Sequence, residues 1–180
     1  SWSPNRTGFH EVGSYGELLL APRQDANMIR NGDFTEQYSG TWAPSSYGSD
    51  GPSFDDHCFF TGGRSAKFVS SGQRVSIFQS LPLKANTTYA VSFFLKMENV
   101  KPLKPDGGFY LLLGDNSNNY FPKDSKYTGS MQWTRQGTLW TTGPDGGKSI
   151  PGKNRCIMPT LRDATGTVWI DDIRFEEVSK

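Results

Sequence analysis

The sequence has little of what several classes of protein require. Among its 180 residues there are two histidines and two cysteines, and the formal net charge is +1. Lysine and arginine are scattered along the chain, so there is no electrostatic argument for nucleic-acid binding. No apolar run reaches the roughly 18 residues of a membrane-spanning helix, so we predict no membrane span. No signal peptide is visible, and Ser1-Trp2-Ser3 is typical of a cut inside a longer precursor.

The two cysteines, Cys58 and Cys156, leave two alternatives open. They form one disulfide in an exported protein, or they are two small buried thiols. The sequence alone does not establish whether the two sulfur atoms lie close together.

The scarcity of histidine also argues against catalysis, because general bases at neutral pH are most often histidines. His10 lies in an irregular stretch, and His57 is next to Cys58, so their side chains would point to opposite faces of a strand. The carboxylate pairs Asp55-Asp56 and Glu176-Glu177 are neighbours in sequence, which is poor geometry for an acid and a base that flank a substrate. We therefore expect a protein that is not an enzyme.

What the sequence does contain favours short strands. It has 20 glycines, 11 prolines and an aromatic share of 13%, a mixture typical of β structure with many turns. The clearest strand lies within residues 81–98, where Tyr89, Val91, Phe93, Leu95 and Met97 form one apolar face. Further strands are predicted at 74–80, 109–113, 133–140, 155–161 and 165–175, and a hairpin or turn at Gly62-Gly63 between 58–60 and 66–69. The predicted fold is all-β, a two-sheet antiparallel β-sandwich.

The N-terminal segment does not follow this pattern. We predict that residues 1–26 are a linker or an edge-strand extension from a preceding domain, and that residues 27–180 form the sandwich. A long loop from Tyr38 to Phe54 carries Trp42 and Tyr47. Its aromatic side chains either cap one end of the sandwich or contact a ligand.

Three short segments, taken in order, form a set. They are Asn31-Gly32-Asp33-Phe34 followed by Trp42, then Leu81-Pro82-Leu83-Lys84 leading into 87–93, and finally 168–173. In order and spacing they resemble the carbohydrate-binding modules of families 4, 9 and 22, which are galactose-binding-domain-like jelly rolls appended to polysaccharide-degrading enzymes. The resemblance covers about residues 27 to 178.

The resemblance also implies a structural calcium ion that ties the first strand to the last. Carried onto this chain, its ligands are Asp33, Thr35, Thr61, the carbonyl of Arg64, and Asp171. The chain departs from the family pattern at Thr35, where a glutamate is frequent, and at Thr61. Calcium takes about six to eight oxygen ligands, so a weaker site is expected unless Glu36 substitutes. The alternative for Asp171-Asp172 is a solvated strand end.

Sugar recognition requires flat apolar surfaces for the C–H faces of pyranose rings and polar groups for their hydroxyls. We predict that the non-core face of the sandwich supplies both, and in the resembled modules this concave face is the usual glycan cleft. Hydrogen bonds would come from Arg74 and Lys96, which would also suit an acidic glycan. The stacking residues are Phe78, Phe94, Tyr110, Tyr120 and Trp140. On this hypothesis Phe94→Ala abolishes binding without unfolding the domain.

Two alternatives to this assignment stay open. In the first, Phe78 and Phe94 are core residues beneath the N-terminal segment and contact no ligand. In the second, the sugar binds at the loop end of the sandwich, where Trp42, Tyr47 and Phe59 would gather.

The sequence therefore predicts a non-catalytic carbohydrate-binding module from a secreted or cell-surface bacterial protein. It would target a parent glycoside hydrolase or polysaccharide lyase in the same chain to a polysaccharide or oligosaccharide. The alternative is a structural or adhesion β-sandwich that packs on its parent enzyme or binds protein, and that has no sugar site.

Overall fold

The computed structural model describes residues 26–36, 41–44, 50–114, 119–146 and 156–178. The strands in these ranges are, in chain order, β1 (Ala43–Pro44), β2 (Ser53–Asp55), β3 (Ser65–Ser71), β4 (Val75–Ser80), β5 (Thr88–Pro102), β6 (Gly108–Leu113), β7 (Tyr120–Phe121), β8 (Gly129–Thr141), β9 (Cys156–Arg162) and β10 (Ala164–Glu177). The prediction for residues 1–26 falls, except for Ala26, outside the described residues. No helix within the described ranges is long and apolar enough to cross a membrane.

The strands pair into two five-stranded antiparallel sheets. The first sheet has the order β1-β4-β9-β6-β7, and the second has the order β2-β3-β10-β5-β8. Apolar side chains from both sheets form one core, so the predicted two-sheet sandwich is confirmed. Several strands are longer than predicted, because β8 and β10 continue past the alternating segments that marked them in the sequence.

The strand predicted within residues 81–98 is β5, which lies between β10 and β8 in the second sheet. The five alternating side chains from Tyr89 to Met97 are all in the core, as a period of two predicts. The turn before β5 has Asn86 in the left-handed region, with a φ of 49°. Asparagine tolerates this conformation, which accounts for the turn that leads into β5.

Residues before β1 attach to the last strand. The amide of Met28 donates to the carbonyl of Phe175 at 2.8 Å, and the amide of Ile173 donates to the carbonyl of Gly32 at 3.0 Å. The indole N–H of Trp42 donates to the carbonyl of Asn31 at 2.9 Å, and Trp42 belongs to the buried core. Trp42 therefore caps the sandwich, while Tyr47 lies outside the described residues.

The segment predicted as a strand at 58–60 is not one. The carboxylate of Asp55 accepts the amides of His57 and Cys58 at 2.9 and 3.0 Å, which turns the chain away from the sheet. The partners of β3 are instead β2 and β10. Cys58 is a free thiol, so the disulfide alternative is not the one observed, and burial raises the pKa of this thiol.

Candidate functional site

Strand alternation divides the first sheet into an inner and an outer face. Val75, Ile77 and Phe109 point into the core, so the residues between them point outward. On the outward side Thr160 lies opposite both Ser76 and Tyr110, and Leu112 lies opposite both Met158 and Tyr120. We name this surface the outer face of the first sheet, formed by Ser76, Phe78, Tyr110, Leu112, Tyr120, Met158 and Thr160.

Arg74 extends onto this face from the residue before β4. Its Nη2 lies 3.9 Å from the sulfur of Met158. Its Nε is buried and finds no hydrogen-bond acceptor in the part of the chain that the structure describes. Because a guanidinium has several fixed donors, this side chain retains unused hydrogen-bonding capacity.

The aromatic part of the face comes from β6 and β7. Tyr110 and Tyr120 meet edge to face with ring centroids 5.9 Å apart. The Nζ of Lys126 lies 4.9 Å from the Tyr110 centroid and 4.1 Å from the Tyr120 centroid. A hydrogen bond with Tyr110 raises the pKa of the Arg162 guanidinium. The rings of Tyr110 and Tyr120 therefore lie beside the cation of Lys126, and Arg162 contacts Tyr110.

Four of the seven predicted sugar-binding residues thus lie on one surface: Arg74, Phe78, Tyr110 and Tyr120. Phe78 follows the outward alternation of β4 and is half-buried. Tyr120 is also half-buried, whereas Tyr110 is 8% exposed. Phe78 and Tyr120 therefore retain accessible ring surface, and Tyr110 chiefly supports Tyr120.

Phe94 and Lys96 do not join this group, because β5 belongs to the second sheet and turns their side chains to the opposite side of the sandwich. The Phe94 ring is covered by Phe60, with centroids 3.5 Å apart and an interplanar angle of 13°. The guanidinium of Arg135 lies 5.1 Å from the Phe94 centroid. Lys96 extends over Trp169 at 5.2 Å and pairs with Glu98 at 3.8 Å. The prediction that they share one face with Arg74 and Phe78 is wrong.

Trp140 lies on neither outer face. It is directly opposite Tyr89 in the β5–β8 ladder, so both side chains point to the core side. Its ring packs against Tyr89 and Phe175 with centroids 6.5 and 6.2 Å away. The predicted role of Trp140 on an outer face is therefore replaced by a role in the core.

Some of the predicted calcium ligands come close together near Gly62. A Cβ placed on Gly62 would lie 2.7 Å from Cγ2 of Thr35 and 3.3 Å from Oδ2 of Asp33. The Thr35 hydroxyl donates to Asp33 Oδ1 at 2.9 Å. The position of Gly62 therefore leaves room for these two side chains. Arg64 precedes β3, and its guanidinium pairs with Asp56 at 2.5 Å.

Asp171 is a fully buried carboxylate at the irregular part of β10. Its Oδ2 accepts the amides of Phe60 and Thr61 at 2.8 and 2.9 Å, and its Oδ1 accepts the amide of Asp172 at 2.7 Å. Burial raises the pKa of Asp171 to about 6. Burial also raises the pKa of Asp172, and the nearby Asp33 carboxylate adds to this shift. These amides tie the loop before β3 to β10.

These donors fit a calcium ion only in part. Buried carboxylates with a raised pKa favour a nearby cation. However, both Asp171 oxygens already accept amides, and no group of three or more His, Cys, Asp or Glu side chains within the described ranges is arranged to hold a metal ion. Additional oxygens would have to come from Thr35, Thr61 and backbone carbonyls.

Sequence reasoning missed Met158, Thr160, Lys126 and Arg162. The first two had a usable signal, since they alternate with the core residues Ile157 and Leu161 in β9. Lys126 had none, because its place over Tyr110 and Tyr120 depends on the path of the loop after β7.

No family model matches the sequence, and no curated protein matches it. Solved structures do match the fold. A family 16 carbohydrate-binding module aligns with a TM-score of 0.57 and 21% identity, over 83% of this chain and 99% of that chain. A family 61 module in complex with β-1,4-galactotriose aligns with a TM-score of 0.55 and 16% identity, over 84% of this chain and 99% of that chain.

The same fold occurs within a longer enzyme. An arabinose-bound α-L-arabinofuranosidase aligns with a TM-score of 0.56 and 16% identity, over 86% of this chain and 27% of that chain. Modules of families 4 and 22 also match, two of the three families that the sequence motifs resemble. At these identities the likeness establishes the fold: this chain has the sandwich fold of carbohydrate-binding modules.

Proposed function

We propose that this protein is a non-catalytic carbohydrate-binding module, and that its glycan lies across the outer face of the first sheet. The observation that carries the proposal is the grouping of Phe78, Tyr110 and Tyr120 with the Arg74 guanidinium on one sheet surface. The fold supports it, since a structure of the same fold holds β-1,4-galactotriose.

The chemistry of this face suits a sugar chain. Pyranose rings have apolar C–H faces and a rim of hydroxyls, so they bind where aromatic surface and placed polar groups occur together. Phe78 and Tyr120 offer the aromatic surface. Arg74 offers donors for hydroxyl or ring oxygens, whereas Ser76 and Thr160 are fully buried and offer no accessible surface.

Affinity electrophoresis against a panel of soluble polysaccharides tests this function. Phe78→Ala and Tyr120→Ala should each weaken retardation about 5-fold to 100-fold, if a sugar ring stacked on an aromatic side chain contributes as much as a stacked base, which is worth roughly 1–3 kcal/mol. The matched control is Phe60→Ala, which removes an exposed ring from the second sheet's side. Absence of retardation on a broad panel would overturn the proposal, and so would equal losses in Phe60→Ala and Phe78→Ala.

We further propose that the module belongs to a secreted bacterial glycoside hydrolase or polysaccharide lyase and directs it to the glycan. The support is the α-L-arabinofuranosidase in which the same fold makes up part of a longer chain. The competing function is packing against a parent enzyme or another protein. It is favoured by Phe59 and Phe60, which are 40% and 46% exposed on the loop beside the second sheet.

A calcium ion held by Asp33, Thr35, Thr61, the Arg64 carbonyl and Asp171 is a secondary proposal. A ligand present at 100 times its dissociation constant stabilises the folded state by about 2.7 kcal/mol. Millimolar calcium should therefore raise the melting temperature relative to a chelator, and magnesium should not. An unchanged melting temperature would reject the site.

A further inference from the structure

Arg74 differs from Arg64, Arg135, Arg162 and Arg174 in having no carboxylate partner among the described residues. Arg64, Arg162 and Arg174 pair with Asp56, Asp163 and Glu176 at 2.5, 3.3 and 2.7 Å, and Arg135 lies 4.0 Å from Asp172. Arg74 contacts the sulfur of Met158, and its Nε is buried without an acceptor. Burying an unpaired donor costs free energy, and no carboxylate of the described residues offsets the charge of this guanidinium.

Lys126 is the second cation on this face. Its ammonium lies over the rings of Tyr110 and Tyr120, and no ion pair holds it within the ranges that the structure describes. By contrast, Lys67, Lys84, Lys96 and Lys104 all pair with carboxylates within 4.0 Å. The two aromatic contacts hold the ammonium in place and leave its charge uncompensated.

The nearby acidic groups do not neutralise these two cations. Asp163 pairs with Arg162 and Lys104 at 3.3 and 3.1 Å, and Asp106 acts on Arg162 as well. Asp50 bonds the backbone of Arg74 and Ser76 at the edge of the sheet. Its carboxylate forms no ion pair with Arg74. Among the described residues, therefore, no carboxylate compensates the two positive charges that lie beside the aromatic rings of the outer face of the first sheet.

From this we infer that the ligand of the outer face of the first sheet is an acidic polysaccharide, whose carboxylate or sulfate groups pair with Arg74 and Lys126. The inference rests on the proposed carbohydrate-binding function and adds the charge class of the glycan. A planar guanidinium forms paired hydrogen bonds with a carboxylate or sulfate, and charge-assisted bonds of this kind are the strong ones.

The spacing of the two cations suits a chain rather than one sugar. Neighbouring strands lie about 4.8 Å apart, so β4 and β6 are separated by about 10 Å across β9. Arg74 comes from the β4 side, and Lys126 lies over side chains of β6 and β7. Charged groups on different units of one polymer would therefore meet the two cations.

The experiment compares matched pairs of ligands on the intact protein. One pair is a uronic-acid polysaccharide and its carboxyl-reduced, neutral form; the other is a sulfated galactan and its desulfated form. We expect binding to one charged member to exceed binding to its neutral partner about 10-fold to 100-fold, and to weaken as salt rises. The charged member that binds distinguishes carboxylate from sulfate.

Variants assign the effect to the two side chains. Lys126→Met should reduce binding to the charged ligand about 10-fold and leave binding to its neutral form unchanged, whereas Arg74→Gln should weaken binding to both forms and weaken binding to the charged ligand about 10-fold more. Lys101→Met, which removes one exposed charge from β5, is the control for net charge. Equal binding to charged and neutral forms, or equal losses in all three variants, would overturn the inference.

The same experiment separates the two levels of the proposal. If neutral glycans bind and Phe78→Ala abolishes that binding, the carbohydrate-binding function stands and the acidic class is wrong. If neither member of either pair binds, both fall.

Discussion

Phe94→Ala is the substitution on which the sequence and the structure disagree. The ring lies between Phe60, at a centroid distance of 3.5 Å, and the Arg135 guanidinium, at 5.1 Å, and Phe94 is 9% exposed. Phe→Ala in a closed core costs about 3–5 kcal/mol. Here Phe60 is exposed and can settle into the space, so we expect about 2–3 kcal/mol. For a chain of this size that lowers the melting temperature by about 4–12 °C.

Binding should be unaffected by the same substitution, because Phe94 is on the opposite side of the sandwich from Arg74 and Phe78. Urea unfolding measures the stability of the variant, and affinity electrophoresis below its melting range measures binding; Phe78→Ala should give the reverse pattern. A Phe94→Ala protein that keeps its stability and loses glycan binding would refute this reasoning and move the site to the second sheet.

Two further predictions concern the attachment of the N-terminal segment and the buried carboxylate. Gly32→Ala should destabilise the protein by about 3 kcal/mol, because the new Cβ would lie 2.2 Å from the Ile173 carbonyl oxygen. Gly129→Ala, whose Cβ meets nothing within 4 Å at a φ of +86°, should cost only about 1–2 kcal/mol from backbone strain; equal losses in urea unfolding would contradict the steric account. In calcium-free buffer, Asp171 should make stability fall as pH rises from about 4 to about 6. Its pKa is raised to about 6 in the fold from 3.8, so the folded state retains a proton that the unfolded chain has released, a contribution of about 1–3 kcal/mol. Asp171→Asn should flatten the pH dependence in that window, whereas the exposed Asp124→Asn should not; identical slopes for the wild type and Asp171→Asn would reject the assignment.

The side of each strand that enters the core was predictable from the sequence. Alternation in 89–97 placed Tyr89 and Phe93 inward, and both are fully buried. The turns at Asn31 and Asn86 were also predictable, because asparagine tolerates the positive φ that both adopt. These are local properties, set by a residue and its neighbours along the chain.

Sheet membership was not predictable in the same way. Phe78 and Phe94 both alternate out of the core, but β4 pairs with β9 and β5 pairs with β10. The two rings therefore face opposite sides of the sandwich. Strand pairing depends on contacts far apart in sequence, so a pattern within one strand identifies an outward residue without identifying its surface. The same limit applies to 58–60, where the Asp171 carboxylate, over 100 residues away, accepts amides of the loop.

The distribution of charge then distinguishes the two outer faces. On the second sheet Lys67 pairs with Asp55, Lys96 with Glu98 and Arg174 with Glu176, so these three cations are held by carboxylates of the fold itself. On the first sheet Arg74 and Lys126 meet sulfur and aromatic rings instead. Such contacts position a cation without neutralising it. A surface that orients its positive charges and leaves them uncompensated is suited to an anionic ligand, and this difference is the physical reason for placing the glycan on the first sheet rather than on the exposed rings of the second.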